Sequence, residues 1–193
     1  CHSTYSVQAG DRVIVHAGAG GMGLILTQMI KRLGGYVFTT VSTEDKAELS
    51  KQAGADHVII YTQRDFAEEV KKATGGDGVK VIYDGVGKTT FEKGIGCLGR
   101  RGIMALYGAA SGVPDPISPT AFAAGSLYLT RPGLGDYTVD RQELSKRAGD
   151  VLSWVESGEL KLHIGHEFPL SEAPEAHRQL EGRATAGKVL LLP

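Results

Sequence analysis

Residues His16–Gly35 read HAGAGGMGLILTQMIKRLGG, a run of small residues that opens directly into an apolar helix. Gly18, Gly20, Gly21 and Gly23 crowd into the start of it. A surface turn needs one or two glycines, so this density implies that something must come close to the backbone. Just ahead, Arg12–Ala17 (RVIVHA) is a short apolar run bounded by Gly10 and Asp11, which reads as a buried strand. The helix is expected from about Met22 to Leu33, ending at Gly34 and Gly35, where glycine can take the left-handed turn. Gly18, Gly20 and Gly23 fit G-x-G-x-x-G in the strand-then-helix setting that a dinucleotide fingerprint demands. In that reading the first glycine makes the tight turn, the second admits a pyrophosphate, and the third lets helix and strand pack closely. The helix start then offers unpaired N–H groups and a partial positive charge to the phosphates. The plainer alternative is a glycine-rich turn without a ligand.

Outward from this stretch, extended and helical patterns alternate. Tyr36–Val41 (YVFTTV) is a second strand, and Ser42–Gly54 a helix that Ser42 and Asp45 would open as a capping box. His57–Tyr61 is a third strand, followed by a helix over Asp65–Gly76 with Phe66 and Val70 one turn apart. Val79–Gly87 (VKVIYDGVG) is a fourth strand running into a second glycine turn. Thr89–Gly99 is a weaker helix, interrupted by Gly94 and Gly96. Gly102–Gly108 (GIMALYG) is a fifth strand, and Ser126–Arg131 (SLYLTR) a sixth after a Pro/Gly-rich loop. Apolar strands without alternation, separated by helices, imply a parallel sheet covered on both faces. The expected fold is therefore α/β, a doubly wound Rossmann sheet of six parallel strands. Past Arg131 the character changes. Asp140–Leu160 is amphipathic, with Leu144, Ala148, Val151, Leu152 and Val155 on one face, and Glu172–Pro193 gives a short helix and a final strand. The expected division is 1–134 for the nucleotide-binding domain and 135–193 for a C-terminal segment too short for a deep core of its own.

Composition narrows the function classes. The 193 residues are 41% hydrophobic and 22% charged, a globular balance. A net charge of −1 with the signs interleaved gives no footprint for nucleic acid or an anionic membrane. Cys1 and Cys97 belong to no CxxC pair, and the six histidines form no zinc pattern, so no metal is expected. His163 and His166 lack a third ligand nearby, and His16 at a strand end reads as a satisfied structural histidine. No G-x-S-x-G anchors hydrolase chemistry. Neither an 18-residue uncharged apolar stretch nor a signal-like start is present, and a cytoplasmic setting with reduced thiols is expected.

The end of the second strand selects the nucleotide. An acid there, ~20 residues past the fingerprint, would accept the ribose hydroxyls of NADH or of an adenosyl methyl donor. Thr40-Val41-Ser42-Thr43 offers none before Glu44. Hydroxyls and the nearby Lys46 would instead hold a 2′-phosphate, which favours NADPH and disfavours a methyltransferase. Ser42 as a mere helix cap is the alternative. Two later turns, Tyr83–Gly87 and Leu106–Gly112, put small residues at carboxyl ends of strands, the crevice side of such sheets.

The motifs VHAGAGGMGLILTQMIKRLGG, TVSTEDKAELSKQAGADHVIIY, VIYDGVGKTTFEKGIGCLGRRG, GSLYLTRPGL and AHRQLEGRATAGKVLLLP resemble, in this order, the quinone oxidoreductase (zeta-crystallin-like) branch of the zinc-free medium-chain dehydrogenase/reductases. The resemblance implies a sheet order of 3-2-1-4-5-6 and an NADPH-dependent reductase of quinones or related α,β-unsaturated carbonyls. It implies that Gly20, Gly21, Met22 and Gly23 form the pyrophosphate loop, that Ser42 and Lys46 hold the 2′-phosphate, and that Tyr61 lies beside the adenosine. Tyr107 and Gly108, where the family often has Phe, and Leu129, Thr130 and Arg131 would flank the nicotinamide, and Arg183 would lie near the cofactor phosphates. Gly85 stands where the family's YDSVG has serine. The resemblance further implies a homodimer through the sixth-strand edge, and a C-terminal tail that rejoins an N-terminal GroES-like catalytic domain absent from these residues. No catalytic acid or base stands out. A rival reading is an NADPH-holding structural or RNA-binding protein, as the crystallin name allows, without significant turnover.

Overall fold

A computed structural model describes residues 1–193. Strands β1 (Arg12–Val15), β2 (Tyr36–Val41), β3 (His57–Ile60), β4 (Val79–Asp84), β5 (Leu98–Leu106) and β6 (Tyr128–Thr130) form one fully parallel sheet. Its order is β3-β2-β1-β4-β5-β6, as expected. In register, Val13 lies beside Val37 and Val81, and Ile14 beside Phe38 and Ile82. Successive side chains point to opposite faces, so each strand feeds two cores. On one face Val13, Val15, Val37, Val81 and Tyr83 pack with Leu26 and Ile30 of helix α1 (Gly21–Arg32). On the other, Ile14, Phe38, Ile82 and Met104 pack with Phe66 and Val70 of α3 (Phe66–Ala73) and Phe91 of α4 (Phe91–Ile95). Helix α2 (Glu44–Gln52) joins α1, since Ser50 hydrogen-bonds Thr39 at 2.7 Å and Thr39 shares the Val37 face. The chain changes face on leaving β3, which makes the β1/β4 junction the switch point where such sheets bind ligands.

Two local expectations are corrected. The cap of α2 is Thr43, not Ser42: Thr43 is the extended residue, and its Oγ1 accepts the Lys46 N–H at 3.3 Å. No Ser42–Asp45 capping box forms, and the Ser42 side chain is released from the helix end. Strand β5 also begins at Leu98 rather than Gly102. Leu98 pairs with Val79, and a register shift follows before Ile103 meets Val81, with Arg101 at φ +57.

Beyond β6 lie α5 (Arg141–Glu156), β7 (Ile164–Pro169), α6 (Ala173–Glu181) and β8 (Lys188–Leu192). β7 and β8 pair with each other in parallel, apart from the main sheet. β7 was not foreseen in the sequence. Helix α5 buries none of its residues, and its anticipated apolar face is open, with Leu152 66% exposed. No helix is long and apolar enough to cross a membrane.

Candidate functional site

The turn between β1 and α1 is shaped by contact on all sides. A Cβ on Gly18 would stand 2.5 Å from Thr39 Cβ, and one on Gly23 would stand 2.2 Å from the Ala17 carbonyl oxygen. Packing alone demands glycine at those two positions. Gly20 differs: its nearest neighbour in that direction is the Ala17 oxygen at 3.2 Å, and it lines an open cleft. What the chain leaves unexplained at Gly20, a ligand against the backbone explains. The N–H groups of Met22 and Gly23 donate to no acceptor in the chain, a Gly20–Gly187 bridge sets Gly21 against the C-terminal segment, and no acid sits in the first turn of α1. The positive end of this helix is therefore uncompensated, a setting made for a phosphate.

The cleft measures about 460 Å³. It is lined by Gly20, Thr40, Ser42, Lys46 and Tyr61 from the ends of β1, β2 and β3, and by Arg64, Asp65, Phe66, Thr89, Thr90 and Lys93 from the starts of α3 and α4. Leu180, Arg183 and Thr185 close it from the C-terminal segment. Lys46, Arg64, Lys93 and Arg183 bring four cations against one carboxylate, Asp65. Lys93 hydrogen-bonds that carboxylate and holds it below the ordinary aspartate range. The cleft is left markedly cationic, although the whole chain is not.

The C-terminal segment reaches the glycine turn directly. Gly187 N–H donates to the Ala19 carbonyl at 2.8 Å, and Lys46 Nζ donates to the Arg183 carbonyl at 2.7 Å. Lys46 is thus already aimed at the mouth of the cleft and tied to the backbone of Arg183.

Two buried polar residues hold the floor. Asp84, fully buried, accepts from Val86 N at 2.7 Å, Gly87 N at 3.0 Å and Thr90 Oγ1 at 2.8 Å, which fixes the turn after β4. His16, also fully buried, shares a 2.9 Å hydrogen bond between Nδ1 and Thr40 Oγ1 and sets its ring against Phe66. Its Nε2 has no partner, so it is only half satisfied. Burial pushes the imidazole down to about 4, against the opposing pull of Asp84.

Of the residues singled out in the sequence, Gly20, Ser42, Lys46, Tyr61 and Arg183 meet around the cleft. Gly21, Met22 and Gly23 form the helix start beside it. Tyr107, Gly108, Leu129, Thr130 and Arg131 lie elsewhere, at the carboxyl ends of β5 and β6, and do not line it. There Arg131 donates to the Leu106 carbonyl at 3.0 Å. Sequence reasoning missed Arg64, Asp65, Thr89, Thr90 and Lys93. Their only signal was the flagged turn after the fourth strand, which positions Val86 and the Thr89–Thr90 pair.

An open doubly wound sheet with a phosphate cradle at its switch point defines a dinucleotide-binding domain. The chain belongs to the zinc-binding dehydrogenase family, whose sequence model matches residues 53–191. Within it the chain falls in the quinone oxidoreductase branch. It is 45% identical to a 2-haloacrylate reductase of a Burkholderia species, over 100% of this chain and 58% of that one. It is 40% identical to quinone oxidoreductase 1 of Escherichia coli, over 98% of this chain and 59% of the relative. A mycobacterial structure solved as a complex with NADPH superposes with a TM-score of 0.95 at 50% identity, covering 99% of this chain and 59% of that one. The E. coli quinone oxidoreductase complexed with NADPH gives 0.95 at 40% identity, covering 99% and 60%. The chain thus spans about three fifths of the length of the relatives it matches. Despite the family's description, no group of three or more His, Cys, Asp or Glu side chains is placed to hold a metal. These residues do not fit a zinc site.

Proposed function

We propose that this chain binds NADPH and supplies the cofactor-holding part of an oxidoreductase that reduces quinones or related α,β-unsaturated carbonyls. The observation that carries the reading is Gly20, opening onto a cationic cleft between an unpaired helix start and the Lys46–Arg183 pair. The residues fit the cofactor. Gly21, Met22 and Gly23 would receive the pyrophosphate at the helix start, where the Met22 and Gly23 N–H groups are free. Ser42, Lys46 and Arg183 would hold the 2′-phosphate, and Tyr61, 45% exposed at the cleft, would flank the adenosine. Tyr107, Gly108, Leu129, Thr130 and Arg131 would orient the nicotinamide half. When bound, NADPH supplies the hydride. This chain orients the cofactor.

The name of the Burkholderia relative supports an activated alkene as acceptor, and that of the E. coli relative supports a quinone. In this reading residues 1–134 hold the nucleotide, while 135–193 bring Arg183 to it and offer faces to the remainder of a longer protein. The β6 edge, with Tyr128 and Leu129 53% and 43% exposed, supports a homodimer formed by strand pairing. Fluorescence titration with NADPH and NADH tests the core of the proposal. NADPH is expected to bind at least about tenfold more tightly, the worth of a charge-assisted contact. Equal affinity for the two would overturn the 2′-phosphate assignment.

A further inference from the structure

Gly85, which follows β4, and Tyr107, which follows β5, are interlocked. A Cβ at Gly85 would stand 2.8 Å from Tyr107 Cε2 and 2.9 Å from Cζ and Oη, closer than any side chain tolerates. The backbones are tied as well: Tyr107 and Gly108 N–H donate to the Asp84 carbonyl at 2.8 and 3.2 Å, and Ala110 N–H to that of Gly85 at 3.1 Å. The hydroxyl end of the phenol ring therefore sits against the turn after β4, and only glycine leaves it that seat. These are the two positions at which the chain departs from the Phe and Ser of the quinone oxidoreductase pattern. The contact makes the two departures one.

Tyr107 packs against the α1 core and is half-buried, and its hydroxyl has no hydrogen-bond partner within the chain. That hydroxyl is open to solvent rather than sealed in the core, so a ligand that covers the turn can reach it. Burial and nearby Asp84 push the phenol up to about 12, so at neutral pH it keeps its proton and can donate. Its place indicates the partner. The cationic cleft beside β2 and β3 takes the adenosine end of a dinucleotide, and the cradle over β1 takes the pyrophosphate. A ligand laid along that line continues over β4 and β5, where the ring sits.

We propose that the Tyr107 hydroxyl, seated by Gly85, donates a hydrogen bond to the carboxamide oxygen at the nicotinamide end of the bound cofactor. The inference rests on the NADPH reading above. It is tested by comparing affinities for NADPH and for 2′,5′-ADP, which carries the adenosine and phosphate half alone. Tyr107→Phe should weaken NADPH about two- to tenfold, the range of one hydrogen bond, and leave 2′,5′-ADP and the melting temperature unchanged. Gly85→Ala, which dislodges the ring, should show the same selective loss. Unchanged or tighter NADPH binding by Tyr107→Phe, or an equal loss for both ligands, would overturn the proposal while leaving the NADPH reading intact. A parent chain that binds neither ligand would overturn both.

Discussion

The six-stranded sheet and the C-terminal segment are written in similar residues and end up in different surroundings. Val13, Ile14, Val15, Val37, Val81 and Ile82 have no exposure at all, held between two helical layers. Strand β8 is as aliphatic (KVLLL), yet Leu191 and Leu192 remain 39% and 45% exposed, and α5 buries nothing. Strands β1, β2 and β4, which carry these residues, have neighbours on both faces and both edges. Strands β7 and β8 have only each other at the edge and only the short helix α6 against them. Apolar pattern tells which face wants cover; only the tertiary arrangement tells whether it has found any.

The largest expected effect probes that contrast directly. Ile82→Ala removes a side chain from the centre of the sheet and should cost about 2–5 kcal/mol, transfer plus cavity. Leu152→Ala removes one from the open face of α5 and should cost less than about 0.5 kcal/mol. Urea midpoints of the two variants measure the difference. Similar losses would mean that α5 is covered in solution, and the contrast between the regions would collapse.

A second effect belongs to the sheet alone. His16 is buried neutral, with its folded value lowered from 6.5 to about 4. Between those values the unfolded chain takes up a proton that the folded chain refuses, so stability falls as pH drops through this window and is retained above it. The full loss is about 3 kcal/mol by the lower end. His16→Asn should flatten the slope of unfolding free energy against pH between those limits, whatever it does to absolute stability. An unchanged slope would show that His16 is protonated or wetter than its burial implies.

The sheet was legible because strands buried on both faces read as unbroken apolar runs, and each was bounded by glycine. The glycine turn was legible because its chemistry is local, within Gly18–Gly23. Strand β7 was not: IGHEFP is half polar, and its register is set by β8, a partner far along the chain. The second part of the cleft lining was equally hidden. Arg64, Asp65 and Lys93 come from two separate loops and helices, and nothing in their spacing announces that α3 and α4 bring them to the cleft that Lys46 lines. The Gly85–Tyr107 contact could be suspected only as two unrelated departures, because what links them is adjacency of β4 and β5 in space.

The junction of the two regions is Lys46, a sheet-side residue whose ammonium rests on the C-terminal Arg183 carbonyl. Lys46→Ala should weaken NADPH by about 1.5–3 kcal/mol, roughly tenfold or more, and leave NADH nearly unchanged. Lys46 is half-buried and its ammonium has one backbone partner, which predicts only a small change in melting temperature. Loss of both cofactors in equal measure would instead assign Lys46 to holding the C-terminal segment against the glycine turn, and the site would depend on that segment for its shape more than for its charge.

The smallest effect separates two neighbouring hydroxyls. Ser42 and Thr43 stand side by side at the end of β2, but only Thr43 caps α2, through a 3.3 Å contact to Lys46 N–H that is long for such a bond. Ser42 lines the cleft and is spared that duty. Thr43→Ala should therefore lower stability by about 0.5–1 kcal/mol, the weak end of capping energies. Its effect on cofactor affinity should be slight. Ser42→Ala should do the reverse, leaving stability alone and weakening NADPH a few-fold, because a neutral hydroxyl contributes less than the Lys46 charge. Melting curves and NADPH titrations on the two variants give four numbers that must fall in this crossed pattern. If Ser42→Ala destabilises the chain as much as Thr43→Ala, the helix can start at either hydroxyl. Ser42 would then be shared between cap and ligand, and the phosphate would find its partner only by competing with the end of α2.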